Sequence, residues 1–456
     1  MSPLLDEVRP LADRFHAAGH RVYLVGGSVR DAILGRPLAG IDLDFTTDAR
    51  PDAIQEVVEG WADAVWTQGK RFGTIGAAYR GRRYEITTHR AEAYSPDSRK
   101  PEVAFADAVE ADLSRRDFTV NSMALALPDL VLVDPFGGVA DLAALRLRTP
   151  LAPEDSFGDD PLRMLRAARF IAGYGLVPVP ELVAAVRSMR GRMEIVSAER
   201  IRDELDKLLV VDQPGTGLWF LVETGLAEEF LPEIPALGLE QDPVQRHKDV
   251  LAHTIAVVDK TSPDRILRMA ALLHDIGKPK TRSFGPGGVS FHHHEVVGAR
   301  MADERLRALR YSHDDIAAVR RLVELHLRFH GYGDEAWTDA AVRRYARDAG
   351  PLLGRLNELT RCDCTTRNQA RAAALAARMD DLERRIADLR TREELDAVRP
   401  DLDGNQIMAR LGVGPGRAVG QAREFLVELR LEEGPLGEEE AGRRLDAWWA
   451  ANQEDG

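Results

Sequence analysis

Two carboxylates stand one residue apart in the segment GIDLDFTTDAR, which otherwise has the apolar pattern of a buried β-strand. Side chains alternate across a strand, so Asp42 and Asp44 are expected to point to the same face, about 6 to 7 Å apart. Ile41, Leu43 and Phe45 would then face the core. Two ionised acids at that distance repel each other unless a cation lies between them, and Mg²⁺ prefers carboxylate oxygens and nucleotide phosphates. The spacing therefore predicts a Mg²⁺ site at Asp42 and Asp44.

A glycine turn that could hold phosphate precedes these acids in the segment LVGGSVRDAILG. Gly26, Gly27 and Ser28 follow a short apolar strand, and a helix is predicted to begin near Val29. Backbone N–H groups of such a turn and of the helix N-terminus bind phosphate oxygens, and Arg30 would add a charge-assisted contact. The turn and the paired aspartates together favour a nucleotide site.

Further polar residues downstream are candidates for the same site. The segment DLSRRDFTVNSMAL has adjacent arginines and hydrogen-bonding groups that suit triphosphate and sugar recognition. They are Arg115, Arg116, Asp117 and Asn121. The alternative is a charged helix start capped by Ser114 or Asp117. Glu85, on another predicted strand, is either a further acid beside the aspartate pair or an exposed, salt-bridged strand residue.

A third charged group lies in the segment DDPLRMLRAARF. Asp160 and Arg163 are three residues apart and are expected to face one side of a helix, with Arg166 and Arg169 continuing the row. An Asp and an Arg presented together offer acceptors and donors to the Watson–Crick edge of a base. The alternative is a surface salt bridge between residues i and i+3.

Histidines and acids with the chemistry of metal ligands are spread over the second half of the chain. Most of the 12 histidines lie between His247 and His330. Neutral imidazoles and carboxylates on helices are ligands for a divalent transition metal. The candidates are His253, His274, Asp275, His294, His326 and Asp363.

Composition limits the kind of protein that carries these groups. The chain has 456 residues, 44% of them hydrophobic and 30% charged, enough for about three domains with substantial cores. It shows no run of about 18 apolar residues and no signal-peptide pattern, which favours a cytoplasmic protein without a membrane span. The net charge of −13 argues against non-specific nucleic-acid binding over the whole surface but allows a local basic groove. Cys362 and Cys364 are too few for a zinc ribbon and badly spaced for a disulfide.

The elements that must position these groups divide the chain into regions. Short apolar strands alternate with helical patterns over residues 1–150, and strand signals nearly vanish after Pro150. We expect an α+β protein with an α/β head at 1–150, a helical neck and body at 151–240, a metal-binding helical domain at 241–370 and a helical tail at 371–456. The stretch from Arg371 to Arg399 is predicted to be one long helix or a helical hairpin.

The series GGSVRD, DLDF, RRDFTVNSMA and DPFGGVADL, in this order, resembles the bacterial class II tRNA nucleotidyltransferase and poly(A) polymerase family, within the DNA polymerase β superfamily. The resemblance implies that Asp42 and Asp44 bind catalytic Mg²⁺. It also implies that Asp160 and Arg163 act as a protein template for CTP and ATP, although Asp159 stands where the family usually has Glu. SAERIRDELDKLL resembles the next neck motif, with Glu199, Arg200 and Glu204 in place.

The segment HDIGK resembles the HD superfamily of metal-dependent phosphohydrolases. The resemblance implies four basic ligands, His253, His274, Asp275 and Asp363. His294 and His326 match additional histidines of members that bind two metals, and Lys278 would lie near a phosphate.

These resemblances imply a CTP:ATP tRNA nucleotidyltransferase that builds or repairs the 3′-terminal CCA, with Mg²⁺ at the transferase site and an HD phosphohydrolase activity. A poly(A) polymerase or an enzyme that adds only CC or only A is the alternative within this class. The alternative of another class is an HD phosphohydrolase with a nucleotide-sensing head. The expected partner is the 3′ end and acceptor stem of tRNA, and no oligomeric state is predicted. A basic groove that binds the tRNA is also predicted. Its arginines are Arg163, Arg166 and Arg169 of the neck together with Arg343, Arg344, Arg361 and Arg367.

Overall fold

The computed structural model describes residues 2–37, 42–93, 102–239, 249–285, 288–332, 337–364, 368–393 and 399–453. The chain forms two compact units, Met1–Pro235 and Ala236–Gly456. The first contains the large sheet, and the second is mainly helical. An α/β head followed by predominantly helical sequence was predicted, and this is confirmed.

The strands of the first unit are β1 (Val22–Val25), β2 (Leu43–Thr47), β3 (Ala64–Trp66), β4 (Thr74–Tyr79), β5 (Arg82–Thr88), β6 (Arg90–Ala93), β7 (Glu102–Phe105), β8 (Ala124–Leu127), β9 (Val131–Val133), β10 (Arg146–Leu147) and β11 (Val177–Pro178). Seven of them form one sheet in the order β3-β4-β5-β2-β1-β8-β9. Within it β2 and β5 are parallel, whereas the other neighbours are antiparallel.

The alternation predicted for the DLDF strand is present in β2. Leu43 and Phe45 are buried, and Asp44 between them is exposed. Ile41, which was expected to face the core, lies outside the described residues. The pleat therefore places one acid of the pair on the open face of the sheet while its neighbours anchor the strand.

The helices of the first unit are α1 (Ser2–Ala17), α2 (Gly27–Ile33), α3 (Pro51–Val58), α4 (Val109–Ser114), α5 (Gly138–Ala143), α6 (Pro153–Asp159), α7 (Leu162–Tyr174), α8 (Pro180–Met189), α9 (Ala198–Leu209) and α10 (Gly215–Glu223). Helix α2 begins two residues before the predicted Val29.

The break between α6 and α7 corrects one prediction. Asp160 and Arg163 were expected on the same side of one helix, but Asp160 ends α6 with extended backbone, φ −142° and ψ 99°, and α7 begins only after Pro161. A proline disfavours helical backbone at the residue before it. The row of arginines on α7 therefore starts at Arg163, and Asp160 reaches the same region from outside the helix.

The second unit contains α11 (Val250–Lys260), α12 (Arg265–Leu273), α13 (Lys278–Thr281), β12 (Arg282–Gly285), β13 (Gly288–Phe291), α14 (His294–Ala308), α15 (His313–Leu325), α16 (Asp339–Ala349), α17 (Leu353–Asp363), α18 (Gln369–Glu393), α19 (Gly404–Leu411), α20 (Arg417–Glu433) and α21 (Glu438–Gln453). Strands β12 and β13 pair antiparallel. Gly285 ends β12 and Gly288 begins β13, in a glycine-rich stretch that the sequence indicated only as a break between helices.

The long helix predicted near Arg371 is α18, a single helix of 25 residues and not a hairpin. The last three helices bury a cluster of their own, built on Ile407, Leu426 and Leu445. Cys362 and Cys364 are unpaired and half-buried. No helix among the described residues is long and apolar enough to cross a membrane.

Candidate active sites

The predicted Mg²⁺ ligands lie at the start of β2, beside a third acid. Asp42 immediately precedes the strand, and Asp44 pairs in register with Glu85 of the parallel strand β5. Desolvation raises the pKa of Asp44; Arg116 lowers it, and the charges of Glu85 and Asp42 raise it further. Glu85 therefore lies beside the pair, which is one of the two positions considered from the sequence. Three neighbouring carboxylates fit a divalent cation, which prefers carboxylate oxygens as ligands.

The glycine turn brings the phosphate-binding candidates against these acids. Gly26 precedes α2 with φ 71°, a conformation that side chains rarely adopt. A Cβ atom there would lie 2.9 Å from Arg116 Nη1 and 3.9 Å from Asp44 Oδ2. The missing side chain thus lets the turn lie close to both the Arg116 guanidinium and the Asp44 carboxylate. Gly27 and the buried Ser28 continue from it into α2.

Arg30 is buried below the turn instead of reaching out to it. Its guanidinium donates to both carboxylate oxygens of Asp31 at 2.9 Å, to Asn121 Oδ1 at 2.6 Å and to the Tyr174 hydroxyl. It also lies 4.1 Å from the centre of the Tyr174 ring. These contacts favour a role in positioning the turn, and a direct phosphate contact stays a prediction.

Asp117 and Asn121 act together inside the protein. The Asn121 amide donates to Asp117 Oδ1 at 2.9 Å, and Arg166 donates to Asp117 Oδ2 from Nε at 3.0 Å and from Nη2 at 2.6 Å. Burial alone would raise the pKa of Asp117, but the charge of Arg166 and these hydrogen bonds outweigh it and lower the pKa. The pair thus connects Arg30 to the arginines of α7.

Arg115 and Arg116 are held by Asp112, a residue that the sequence interpretation did not single out. Asp112 is 1% exposed, and its oxygens lie 3.5 Å from Arg115 Nε and 3.2 Å from Arg116 Nη2. Burial alone would raise the pKa of Asp112, but the two arginines outweigh it and lower the pKa. The spacing of three and four residues between Asp112 and the two arginines is the signal that could have revealed it.

Asp160 and Arg163 have separate partners. Arg200 Nη2 donates to Asp160 Oδ2 at 2.8 Å, and the backbone N–H of Leu162 donates to Asp160 Oδ1 at 3.2 Å. Arg163 is buried and donates to Ser156 Oγ at 2.9 Å and to the carbonyl oxygen of Arg115. Both side chains are therefore fixed in orientation, and their role in reading a base stays a prediction.

Arg166 and Arg169 converge on one acid of α9. Glu204 is 2% exposed; Arg169 Nε donates to its Oε1, and Arg166 Nη1 lies 3.7 Å from its Oε2. Glu204 stood in the predicted neck motif, and the structure assigns it these two arginines as partners. Removing the charge of a buried acid that lies between two cations costs stability, because both cations then stay shielded from water without their partner.

Glu204→Gln is accordingly expected to lower the free energy of unfolding by about 2 kcal/mol, since the amide keeps the shape but not the charge. Urea denaturation of the full chain measures this. The matched control is Glu199→Gln, an exposed acid one turn earlier in α9. Equal midpoints for the two variants would contradict the expectation.

The predicted contribution of later arginines to a basic groove is corrected by their pairing. Arg343 is 6% exposed and donates to both carboxylate oxygens of Glu393, at 2.7 and 2.9 Å, so it presents no charge to a surface. Arg344 is paired with Glu428 and Glu432. Arg361 is paired with Asp380 and Glu383, which offset its charge, and Arg367 lies outside the described residues.

The six predicted transition-metal ligands all come together in the second unit. They form two trios, and the ligand atoms of each trio lie within 4.8 Å of one another. The first trio is His253, His274 and Asp363, and the second is Asp275, His294 and His326.

Asp275 faces both trios. Its Oδ2 lies 3.3 Å from His274 Nε2 and 3.8 Å from His253 Nε2, whereas its Oδ1 lies 3.4 Å from His294 Nε2 and 3.9 Å from His326 Nε2. Burial alone would raise the pKa of Asp275, but the neighbouring imidazoles and Lys278 outweigh it and hold the pKa well below its usual range. An ionised carboxylate is the form that could hold a metal ion.

Three of the imidazoles are oriented for metal binding. His274, His294 and His326 each donate from Nδ1 to a backbone carbonyl three residues earlier, at 2.7 Å. Their Nε2 atoms are buried and have no hydrogen-bond partner. Backbone hydrogen bonds of this kind fix the tautomer that leaves Nε2 free for a metal. A cavity of about 240 Å³ is lined by His253, Asp275, His326, Asp363 and Lys278, and Lys278 donates to Asp275 Oδ2 at 2.5 Å. The residues therefore fit two divalent metals.

Comparison with known protein families adds independent evidence. Residues 22–148 match the poly A polymerase head domain, residues 178–237 the probable RNA and SrmB-binding site of polymerase A, and residues 247–389 the HD domain.

Individual relatives agree with these matches. The chain is 35% identical over 357 residues to the A-adding tRNA nucleotidyltransferase of Deinococcus radiodurans, covering 75% of this chain and 80% of that protein. It is 40% identical over 213 residues to the CCA-adding enzyme of Bacillus subtilis, covering 46% of this chain and 52% of that enzyme. The fold matches the CCA-adding enzyme of Bacillus stearothermophilus, solved in complex with CTP, over 100% of both chains with a TM-score of 0.72 at 22% identity. The chain belongs to the family of tRNA nucleotidyltransferases and poly(A) polymerases, and its second unit carries an HD domain.

Proposed function

We propose that the protein transfers CMP and AMP from CTP and ATP to the 3′ end of tRNA without a nucleic-acid template and so completes or repairs its CCA terminus. The observation that carries this proposal is the meeting of Asp44, Glu85, the Gly26 turn and Arg116 at one place on the sheet. A cytoplasmic location fits these substrates.

We propose a part in the transfer for each of these groups. Asp42 and Asp44, with Glu85 beside them, would hold Mg²⁺, which when bound stabilises the charge on the phosphates and lowers the pKa of the RNA 3′-hydroxyl. Backbone N–H groups of the Gly26 turn hold the triphosphate, and Arg116 adds positive charge next to it. The 3′-oxygen forms a bond to the α-phosphorus, the bond to the α,β-bridging oxygen breaks, pyrophosphate leaves, and the hydroxyl proton passes to solvent.

Base selection is proposed for the start of α7. Arg163 is fixed by Ser156 and by the carbonyl oxygen of Arg115, and Asp160 is fixed by Arg200. Side chains that are already fixed by hydrogen bonds discriminate between bases better than mobile ones, because they lose less conformational entropy when the base binds. Arg166 and Arg169, held by Asp117 and Glu204, keep α7 and its first turn in place.

An enzyme that adds only the terminal A is the second candidate. One observation favours it: the match to the Deinococcus radiodurans A-adding enzyme extends over 357 residues, whereas that to the Bacillus subtilis CCA-adding enzyme extends over 213. The chain spans about half the length of the latter.

The deciding experiment offers the purified protein and Mg²⁺ three tRNAs, which end before CCA, after the first C and after CC, with CTP and ATP separately and together. We expect products that stop at CCA from all three. Incorporation of A only into the tRNA ending in CC would support the A-adding candidate, and long A runs would indicate a poly(A) polymerase.

For the second unit we propose hydrolysis of a phosphate ester at two divalent transition metals. Such metals supply a hydroxide from bound water at neutral pH. Asp275 would bridge them, the five other ligands would complete the two sites, and Lys278 would contact a substrate phosphate. If phosphate release occurs while no tRNA is extended, the protein is an HD phosphohydrolase with a nucleotide-sensing head.

A further inference from the structure

A row of residues crosses four strands of the large sheet and ends at the proposed catalytic acid. Trp66 of β3 pairs with Gly76 of β4, Gly76 with Glu85 of β5, and Glu85 with Asp44 of β2. Residues directly opposite one another on neighbouring strands lie on the same face. Trp66 and Asp44 therefore share the open face of the sheet, three strand spacings or about 14 Å apart.

The indole of Trp66 lies over its neighbour in this row. A Cβ atom on Gly76 would lie 1.9 Å from Trp66 Nε1 and 2.1 Å from Cε2, so only glycine allows the ring to lie there. Trp66 is half-buried and lines a cavity. The sheet thus carries an aromatic platform next to Glu85.

A cavity of about 410 Å³ adjoins this platform. Its lining includes Trp66, Phe72, Thr74, Gly76, Glu85 and Arg90. Phe72 is 38% exposed, and Arg90 Nη2 donates to Thr74 Oγ1 at 2.7 Å, which holds its charge at the wall. Aromatic faces, a fixed cation and a carboxylate at the end nearest the metal site suit a nucleoside with its phosphate, since bases stack on aromatic rings and arginine contacts phosphate.

The strand order decides which nucleoside this is. The phosphate-binding Gly26 turn follows β1, which lies on one side of β2, while β5, β4 and β3 lie on the other. In an in-line transfer the attacking and leaving oxygens stand on opposite sides of the phosphorus. With the triphosphate on the β1 side of Asp44, the attacking hydroxyl must come from the β5 side, where the cavity is.

We propose that this cavity binds the 3′-terminal nucleoside of the RNA acceptor, with its base stacked on Trp66 and its 3′-hydroxyl directed past Glu85 towards Asp44. Trp66 is then a positioning residue for the acceptor and has no contact with the incoming nucleotide. The inference rests on the proposed nucleotide transfer and adds to it the place of the acceptor.

The test uses the full chain, Trp66→Ala and Trp66→Phe, with two acceptors: a tRNA ending in CC, and the same tRNA lacking only the base of its last nucleotide. ATP incorporation is followed at varied acceptor and varied ATP concentration. Wild type is expected to lose about 5- to 150-fold in kcat/KM for the acceptor when the base is removed, the range for one lost stacking contact. Trp66→Ala should show a similar loss on the intact acceptor, little further loss on the baseless one, and an unchanged KM for ATP. Trp66→Phe should recover most of the difference.

Four outcomes overturn the inference. Wild type that uses both acceptors equally well shows that no base is stacked, and this arm needs no variant and so does not depend on whether Trp66→Ala folds. If the loss from Trp66→Ala and the loss from removing the base multiply when they are combined, the base binds elsewhere. A raised KM for ATP in Trp66→Ala shows that Trp66 contacts the incoming nucleotide. If wild type extends no acceptor at all, the proposed transfer itself fails and the inference fails with it, a result distinct from the other three.

Discussion

Nucleotide incorporation is expected to fall by about a thousandfold or more in Asp42→Asn/Asp44→Asn, the loss that corresponds to several kcal/mol of stabilisation of the transferring phosphates. The asparagine amides keep the size of the side chains but no longer offer the negative charge that Mg²⁺ requires. Single-turnover extension of a tRNA ending in CC measures the chemical step directly.

The same variant is expected to unfold at the same or a higher urea concentration than wild type. Asp42 and Glu85 disfavour ionisation of Asp44 in the protein without metal, so removing two charges relieves repulsion. The matched control is Asp52→Asn, an acid in the first turn of α3 whose side chain is 83% exposed, which should keep full activity. An active, well-folded double variant would rule out this metal site.

The largest effect in the second unit is expected from Asp275→Asn. Because the two oxygens of Asp275 face different trios, we expect the variant to lose both bound metals and to hydrolyse phosphate esters at least about a hundredfold more slowly. His294→Ala removes a ligand of only one trio and should retain one metal equivalent. Metal content after dialysis and release of p-nitrophenol from bis(p-nitrophenyl) phosphate are the two measurements.

Two comparisons make this prediction specific. His293→Ala changes the neighbouring histidine, whose side chain is 84% exposed, and should leave both metals in place. The tRNA extension rate of Asp275→Asn should equal that of wild type. Two metal equivalents retained by Asp275→Asn would contradict a bridging role.

The parts of the sites that could be predicted are those that local pattern determines. The pleat of a strand is a period of two, so the exposure of Asp44 between Leu43 and Phe45 followed from the residue types alone. Histidines in helical sequence indicated the metal ligands, although their grouping into two trios depends on how the five helices α11, α12, α14, α15 and α17 pack. Pro161 also carried a local signal, and the interruption of the helix at Asp160 follows from it.

The parts that could not be predicted depend on partners distant in sequence. Arg30 contacts Tyr174, which is 144 residues away, and no local pattern in the sequence indicated this partner. Arg343 is neutralised by Glu393, 50 residues away, and is therefore lost from the predicted groove. Charge and spacing describe what a side chain can bind, whereas the tertiary fold determines which partner it meets.

The close approach at Gly26 also has a genetic consequence. Every missense change of a glycine codon by one base introduces a Cβ atom, and at this position the backbone has φ 71° and ψ −135°, a conformation that side chains strongly disfavour, while the Arg116 guanidinium at 2.9 Å would also have to shift. No amino-acid change that one base substitution can make at codon 26 avoids the disfavoured backbone conformation or the contact with Arg116. Inherited variation at this codon should therefore be confined to synonymous changes in any population that depends on the enzyme.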